Sequence, residues 1–325
     1  MPLPKVYIGL PVQEAGLEIL RGKVDFKLWE KEEAPPRNEL FADLKDAEGL
    51  LAGLPIKADA ELFNAAPKLK VVSNYAVGYD NIDVAEATKR GICVTNTPEV
   101  LTPATADLTF ALILASARRI IEANAFLRSG GWKVWAPELL VGREVAGSVI
   151  GIIGMGQIGQ AVARRAGGFD MRILYFDTVR RPEIESRLGA RYVQVEELLQ
   201  ESDFVTLHCI LNDSTRGLIG EAQLRSMKKT AILINAARGP LVDQQALYRA
   251  CSEKWIWGAA LDVFAKEPVP LDEPLLTLPN VTTVPHIGSA SRTARNGMAV
   301  RSAENLLAVL QGNKPRDLVN KEVWK

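Results

Sequence analysis

Three side chains suited to carbonyl reduction follow short apolar runs in the second half of the chain. Arg238 stands in Asn235-Ala236-Ala237-Arg238-Gly239-Pro240, Glu267 in Asp262-Val263-Phe264-Ala265-Lys266-Glu267-Pro268, and His286 in Val284-Pro285-His286-Ile287-Gly288-Ser289. Each run reads as a strand breaking into a loop, and strand ends are where α/β sheets place ligands. Hydride delivery to a carbonyl needs an acid for the oxygen, a cation to polarise it, and a carboxylate to orient an imidazole and raise its pKa. Taken singly, the three read equally well as an ion-pair residue, a loop histidine and a solvated acid. Their placement on successive strand ends gives the set its meaning.

A second motif supplies the hydride source. Val149-Ile150-Gly151-Ile152-Ile153 runs into Gly154-Met155-Gly156-Gln157-Ile158-Gly159, and a further run, Arg172 to Phe176, ends at Asp177. A strand, a G-x-G-x-x-G turn opening a helix, and an acid at the end of the next strand form the dinucleotide fingerprint. Gly154 permits the tight turn, Gly156 lets backbone approach a pyrophosphate, and Gly159 lets helix and strand pack. The helix N-terminus offers free N–H groups and a positive dipole end. Asp177 suits ribose hydroxyls and repels a 2′-phosphate, so NAD is expected as cofactor. Arg180 and Arg181 just beyond keep NADP open.

These residues need a scaffold. From Val6 to Thr95 short β-type runs alternate with helical rhythms, and the alternation restarts at Ser148 and continues to Val284. Such alternation argues for parallel sheets covered by helices. Between them, residues 103–127 read as one helix, about 37 Å long at 1.5 Å per residue. A second long helix is expected over 292–310. The fold expected is α/β, with two doubly wound parallel-sheet domains and a ligand cleft between them.

Composition limits the alternatives. The chain has 325 residues, room for about two domains. Hydrophobic residues make 47% and charged ones 24%, which excludes an intrinsically disordered chain. Lys+Arg and Asp+Glu are both 39, so no basic excess points to nucleic acid. Cys93, Cys209 and Cys251 are few and scattered, which fits a reducing compartment, and no His or Cys spacing suggests a metal. The apolar run 108–117 is too short to span a bilayer and the N-terminus lacks a signal peptide's apolar core, so no membrane is expected and the cytoplasm is. His208, at another strand end, reads as a buried, hydrogen-bonded imidazole.

The motifs GIIGMGQIG, NAARGPLVD, LDVFAKEP and VPHIGSAS together resemble the D-isomer-specific 2-hydroxyacid dehydrogenases, and most of all the glyoxylate/hydroxypyruvate reductases among them. The resemblance runs from Lys5 to the C-terminus and includes Val77 to Asp83, Val94 to Pro98, Ala104 to Asp107 and Arg128 to Trp132. It implies a discontinuous substrate domain, residues 1–102 with 291–325, and a Rossmann-like NAD domain, residues 103–290. It implies that Arg238 binds the substrate's carboxylate and carbonyl, and that His286, paired with Glu267, is the general acid/base. Backbone N–H groups of Ala76, Val77 and Gly78 are implied to hold the carboxylate, with Ser289 beside His286. Gln157 and Ile158 would meet the pyrophosphate and Asp177 the adenosine ribose. Cys209 and Ala237 would line the cofactor, Arg238 and His286 would adjoin it, and Asp262 would meet the nicotinamide amide. A small 2-keto or 2-hydroxy acid substrate and a homodimer follow from the same resemblance.

Some positions discriminate within the family. NADP-preferring reductases of this group usually carry a small residue and adjacent arginines where this chain has Asp177-Thr178. Phosphite-oxidising relatives place a lysine where Val77 stands. Trp132 and Trp135 resemble a loop that reaches the partner's active site, or else simply pack a dimer interface. Leu54, Tyr75, Val77 and Trp135 are candidates for ranking glyoxylate against hydroxypyruvate and other 2-keto acids. The competing reading is a NAD-sensing binding module like the corepressors that share the fold.

Overall fold

Short runs of Val, Ile, Leu and Ala become strands covered on both faces, as parallel sheets require. The computed structural model describes residues 2–324. The chain divides into two compact units, one holding the residues up to Leu101 and again from Ser289, the other Thr102–Gly288.

The second unit holds a seven-stranded sheet of β6 (Val149–Ile153), β7 (Arg172–Phe176), β8 (Arg191–Tyr192), β9 (Phe204–Leu207), β10 (Ile232–Asn235), β11 (Gly258–Leu261) and β12 (Val281–Thr283), all in parallel pairs. Strand order is β12-β11-β10-β9-β6-β7-β8. The order reverses between β6 and β9, which opens a crevice at their carboxyl ends. Alternation along β6 divides the core. Ile150 and Ile152 face the helices 102–117 and 157–167, while Val149 and Ile153 face those at 195–201 and 244–252. Gly151 lies under the helix 195–201, where a Cβ would stand 2.4 Å from Leu198 Cδ2.

The first unit holds β1 (Lys5–Ile8), β2 (Asp25–Leu28), β3 (Gly49–Ala52), β4 (Val71–Asn74) and β5 (Cys93–Thr95), in the all-parallel order β2-β1-β3-β4-β5. That is the flavodoxin-like winding. The C-terminal helix Arg292–Leu310 covers one face and packs on the helix Glu14–Leu20, where a Cβ on Gly16 would sit 2.7 Å from the Ala299 carbonyl oxygen. Two pairings bind this late segment to the sheet. Ser73 Oγ donates to Ser302 O at 2.8 Å, and Val319 N–H donates to Val94 O at 2.8 Å.

The single helix expected over 103–127 is two helices, Thr102–Ala117 and Ile120–Arg128. Arg119 takes φ +53° between them. The Arg143 N–H takes the Ala117 carbonyl at 2.7 Å, the acceptor the next helical turn would use. Gly142 allows this approach, since a Cβ there would lie 2.2 Å from Ala117 O. A returning loop therefore caps the first helix, and no Pro or Gly marks the break. The helix Pro182–Leu188 and the two-residue β8 are additions to the expected elements.

Candidate active site

At the carboxyl end of β6 the three glycines meet three different demands. Gly154 sits at φ +98°, with the 208–209 backbone so close that a Cβ would lie 2.5 Å from Cys209 N. At Gly159 a Cβ would meet Gly154 O at 2.1 Å, which is the helix–turn packing contact. At Gly156 a Cβ would meet nothing within 4 Å, so this position faces an open cradle. The helix Gln157–Gly167 begins there with no side-chain cap, leaving its first N–H groups for an anion. Gly156 and Gln157 are exposed and Ile158 half-buried. The residues present fit a dinucleotide pyrophosphate.

Asp177, at the end of β7, grips this loop. Its Oδ2 accepts the Met155 N–H at 2.7 Å and its Oδ1 the Val179 N–H at 3.1 Å. Nearby, Arg180 Nε and Nη2 donate to Glu185 Oε1 and Oε2, both at 2.8 Å, and Tyr175 OH donates to Glu185 Oε1 at 2.8 Å. These bonds hold the Glu185 carboxyl down at about 2. Across the crevice, burial pushes the Cys209 thiol up to about 11, so it stays protonated. Burial pushes the His208 imidazole down to about 3, and its Nε2 lies 2.9 Å from Thr206 Oγ1.

The loops at the carboxyl ends of β10, β11 and β12 carry Arg238, Glu267 and His286. Past β10, Asn235 Nδ2 donates to Arg238 O at 2.8 Å and Asn235 Oδ1 accepts the Ala237 N–H at 3.1 Å, which fixes the backbone that presents Arg238. Gly239 follows because a Cβ there would lie 1.9 Å from Phe264 C. The Arg238 Nη1 donates to Ala237 O at 2.9 Å. Past β12, His286 adopts φ +51°, a left-handed conformation costing roughly 1–2 kcal/mol for a residue with a Cβ. Asp262, buried at the end of β11, holds that conformation. Its carbonyl accepts the His286 N–H at 2.9 Å, and its carboxylate accepts the N–H groups of Ile287 at 2.6 Å and Gly288 at 2.8 Å.

The turn so held aims the imidazole at Glu267. His286 Nδ1 lies 2.6 Å from Glu267 Oε2, while Glu267 Oε1 accepts the Phe264 N–H at 2.9 Å. Burial opposes ionisation of Glu267. The His286 hydrogen bond and charge, the Phe264 N–H and the Arg238 charge outweigh it and hold the carboxyl below its ordinary value. Nδ1 thus meets a carboxylate, and Nε2 lies on the opposite edge of the ring. Burial raises the carboxyl of Asp262, against its two backbone N–H donors.

In the first unit, the turn after β4 is pinned by its carbonyls. Thr97 N–H donates to Ala76 O at 2.9 Å, Asn96 Nδ2 to Val77 O at 2.8 Å, and Asn74 Nδ2 to Gly78 O at 2.7 Å. Among the described residues the N–H groups of Val77 and Gly78 have no protein acceptor. Ser289 opens the second segment of this unit.

A nucleotide crevice beside an Arg, Glu and His set on successive strand ends is a dehydrogenase pattern, and comparison with known proteins gives the family. Residues 110–288 match the description "D-isomer specific 2-hydroxyacid dehydrogenase, NAD binding domain". The chain belongs to that family. It is an oxidoreductase fold that takes a nicotinamide cofactor. The dehydrogenase is 54% identical to a glyoxylate reductase of Korarchaeum cryptofilum, covering 99% of this chain and 97% of the relative. Among solved structures it is similar to the TT0316 protein of Thermus thermophilus, with TM-score 0.91, 44% identity, and coverage of 97% and 99% of the two chains. It is also similar to the NADPH-dependent glyoxylate/hydroxypyruvate reductase of Sinorhizobium meliloti, with TM-score 0.86, 31% identity, and coverage of 99% and 98%.

Within the dehydrogenase's second unit, Arg238, Glu267, Asp262 and His286 converge on neighbouring strand ends, with Ala237 beside them. Gly154, Gly156, Gln157, Ile158, Gly159, Asp177 and Cys209 gather at the β6–β9 crevice. The sequence reading missed three supports: Asp262 as the brace of the His286 turn, Asn235 as the brace of Arg238, and Asp177 as an anchor of the glycine loop. The signal for the second was present in the sequence. An Asn or Asp closing a β-run readily accepts backbone N–H bonds from the loop beyond.

Proposed function

We propose that the dehydrogenase reduces glyoxylate and hydroxypyruvate to glycolate and D-glycerate, with NADH preferred over NADPH. The observation that carries this is the 2.6 Å His286–Glu267 pair on a strand end next to Arg238, beside a glycine loop suited to a dinucleotide. When bound, the dihydronicotinamide supplies the hydride. Arg238 polarises the carbonyl, and in the first unit the N–H groups of the 76–78 turn are donors suited to the substrate carboxylate. His286 Nε2 delivers its proton to the oxygen as negative charge develops there, and Glu267 stabilises the imidazolium beforehand. In the reverse direction the same nitrogen accepts the hydroxyl proton. Initial rates with glyoxylate, hydroxypyruvate, pyruvate and phenylpyruvate test the assignment. Tight NADH binding without turnover of any of them would favour the corepressor-like reading instead.

Two features support NADH. Asp177 sets a carboxylate where a 2′-phosphate would lie, and like charges in contact cost several kcal/mol. Arg180, the arginine nearest that position in sequence, is engaged by Glu185, although an exposed pair of this kind is worth only about 0–1 kcal/mol. Asp177→Ser combined with Thr178→Arg is expected to lower the NADH-to-NADPH ratio of kcat/KM by at least about tenfold, equivalent to about 1.4 kcal/mol. The substitution also removes the acceptor of the Met155 N–H, so NADH affinity falls as well. An unchanged ratio would remove Asp177 from the ribose site.

We further propose a homodimer in a reducing compartment such as the cytoplasm, where the three free thiols are at home. Ile120, Ile121, Leu127, Trp132, Val134 and Trp135 are exposed within one short stretch, Trp135 at 75%. Large apolar groups concentrated this way mark an interface. Ile121→Glu with Trp135→Glu is expected to halve the mass seen by light scattering, and a mass unaltered from wild type would contradict the assignment.

A further inference from the structure

We infer that Asn96 and Asn74 are positioning residues for substrate carboxylate binding, acting from behind the 76–78 turn. The inference rests on the assignment of that turn to the carboxylate. A trans peptide sets its C=O and N–H on opposite sides. Three consecutive carbonyls, those of Ala76, Val77 and Gly78, are each held by a donor, Thr97 N–H, Asn96 Nδ2 and Asn74 Nδ2. Each N–H of Val77, Gly78 and Tyr79 therefore points away from the donor on its own peptide's carbonyl, and successive N–H groups free in a turn can make an anion-binding concavity. A turn of this length has no ladder to set its peptide planes, so side-chain donors set them.

The donors are themselves braced. Asn74 is fully buried, and its Nδ2 also donates to Asn81 Oδ1 at 3.2 Å. Asn81 Nδ2 returns a bond to Asn74 Oδ1 at 3.2 Å and reaches Ile56 O at 3.1 Å. Asn96 is fixed through its backbone, whose carbonyl accepts from Asn305 Nδ2 at 3.2 Å. An aspartate at either position would lose the donor and set a negative charge behind an anion site. An alanine would free the turn's peptide planes to rotate.

Asn96→Ala and Asn74→Ser test this, with KM for glyoxylate, the inhibition constant for oxalate, kcat, and the NADH dissociation constant measured on each. Loss of one bond to a half-buried carbonyl predicts rises of about tenfold in KM and in the oxalate constant together. The value of kcat is expected to stay within about threefold and NADH binding to stay unchanged, because neither depends on the carboxylate contact. A lower kcat and a raised NADH dissociation constant alongside the rises in KM and the oxalate constant would make the asparagines merely structural and overturn the inference. So would an oxalate constant untouched in both variants while the wild type turns glyoxylate over. A wild type that reduces no 2-keto acid would overturn the carboxylate assignment itself, and the inference with it.

Discussion

Replacing His286 by glutamine is expected to lower kcat for glyoxylate reduction by about 10²–10⁴, the usual worth of a positioned general acid. NADH affinity should change little, since no part of the glycine loop depends on this side chain. The loss should appear equally in kcat and kcat/KM, because the proton is needed only as negative charge develops on oxygen. Glu267→Gln probes the same pair from the other side. In the wild type Glu267 is held below its ordinary value by His286, the Phe264 N–H and Arg238, so it remains ionised well into the acid range. Its contribution to folding is therefore present above the unfolded carboxyl pKa of about 4.3 and is lost only as pH falls through the lower folded value. In the proposed mechanism the carboxylate orients the imidazole that delivers the proton. The glutamine variant should lower kcat while KM and the NADH dissociation constant stay near wild type. An unchanged kcat would separate Glu267 from the proton transfer.

The second large effect is at Arg238. Arg238→Ala should lower kcat/KM by about 10³, near the upper end of what removal of one oxyanion-stabilising donor produces. Arg238→Lys should recover little, because a point charge does not reproduce a planar fork that reaches carbonyl and carboxylate together. The dissociation constant for NADH should remain within about threefold of wild type. Its backbone bracing by Asn235 and the close passage of Gly239 past Phe264 do not involve the guanidinium, so the alanine variant keeps the loop. Turnover that survives the change would remove Arg238 from the reaction.

Much of this site was legible in the sequence because its chemistry is written in local signals. The glycine loop between β6 and its helix, the acid at the end of β7, and the polar residues that end β10 and β12 are each short-range patterns. Parallel strands buried on both faces leave continuous apolar runs, so β4, β7 and the helix Arg292–Leu310 have the limits their patterns suggest. What was not legible depends on segments distant in sequence. The break at Arg119 is made by a loop more than twenty residues later, which takes the Ala117 carbonyl. The strand β8 is two residues long and exists only because β7 offers an edge. The left-handed His286 turn is imposed by an aspartate on the preceding strand, and periodicity carries no trace of it. The helix Pro182–Leu188 had its stop and start in view, Pro182 and Gly189, but is too short for its rhythm to stand out.

The central claim is that the nicotinamide hydride reaches the carbonyl carbon of a small 2-keto acid while His286 protonates its oxygen. Its most direct test is one turnover of glyoxylate with NADH carrying deuterium at both C4 positions, in ordinary water, followed by mass spectrometry of the product. The expected product is glycolate with one deuterium on the hydroxyl-bearing carbon, formed by wild type and nearly absent with His286→Gln. Bound NADH that keeps all its deuterium in the presence of glyoxylate and hydroxypyruvate would contradict it.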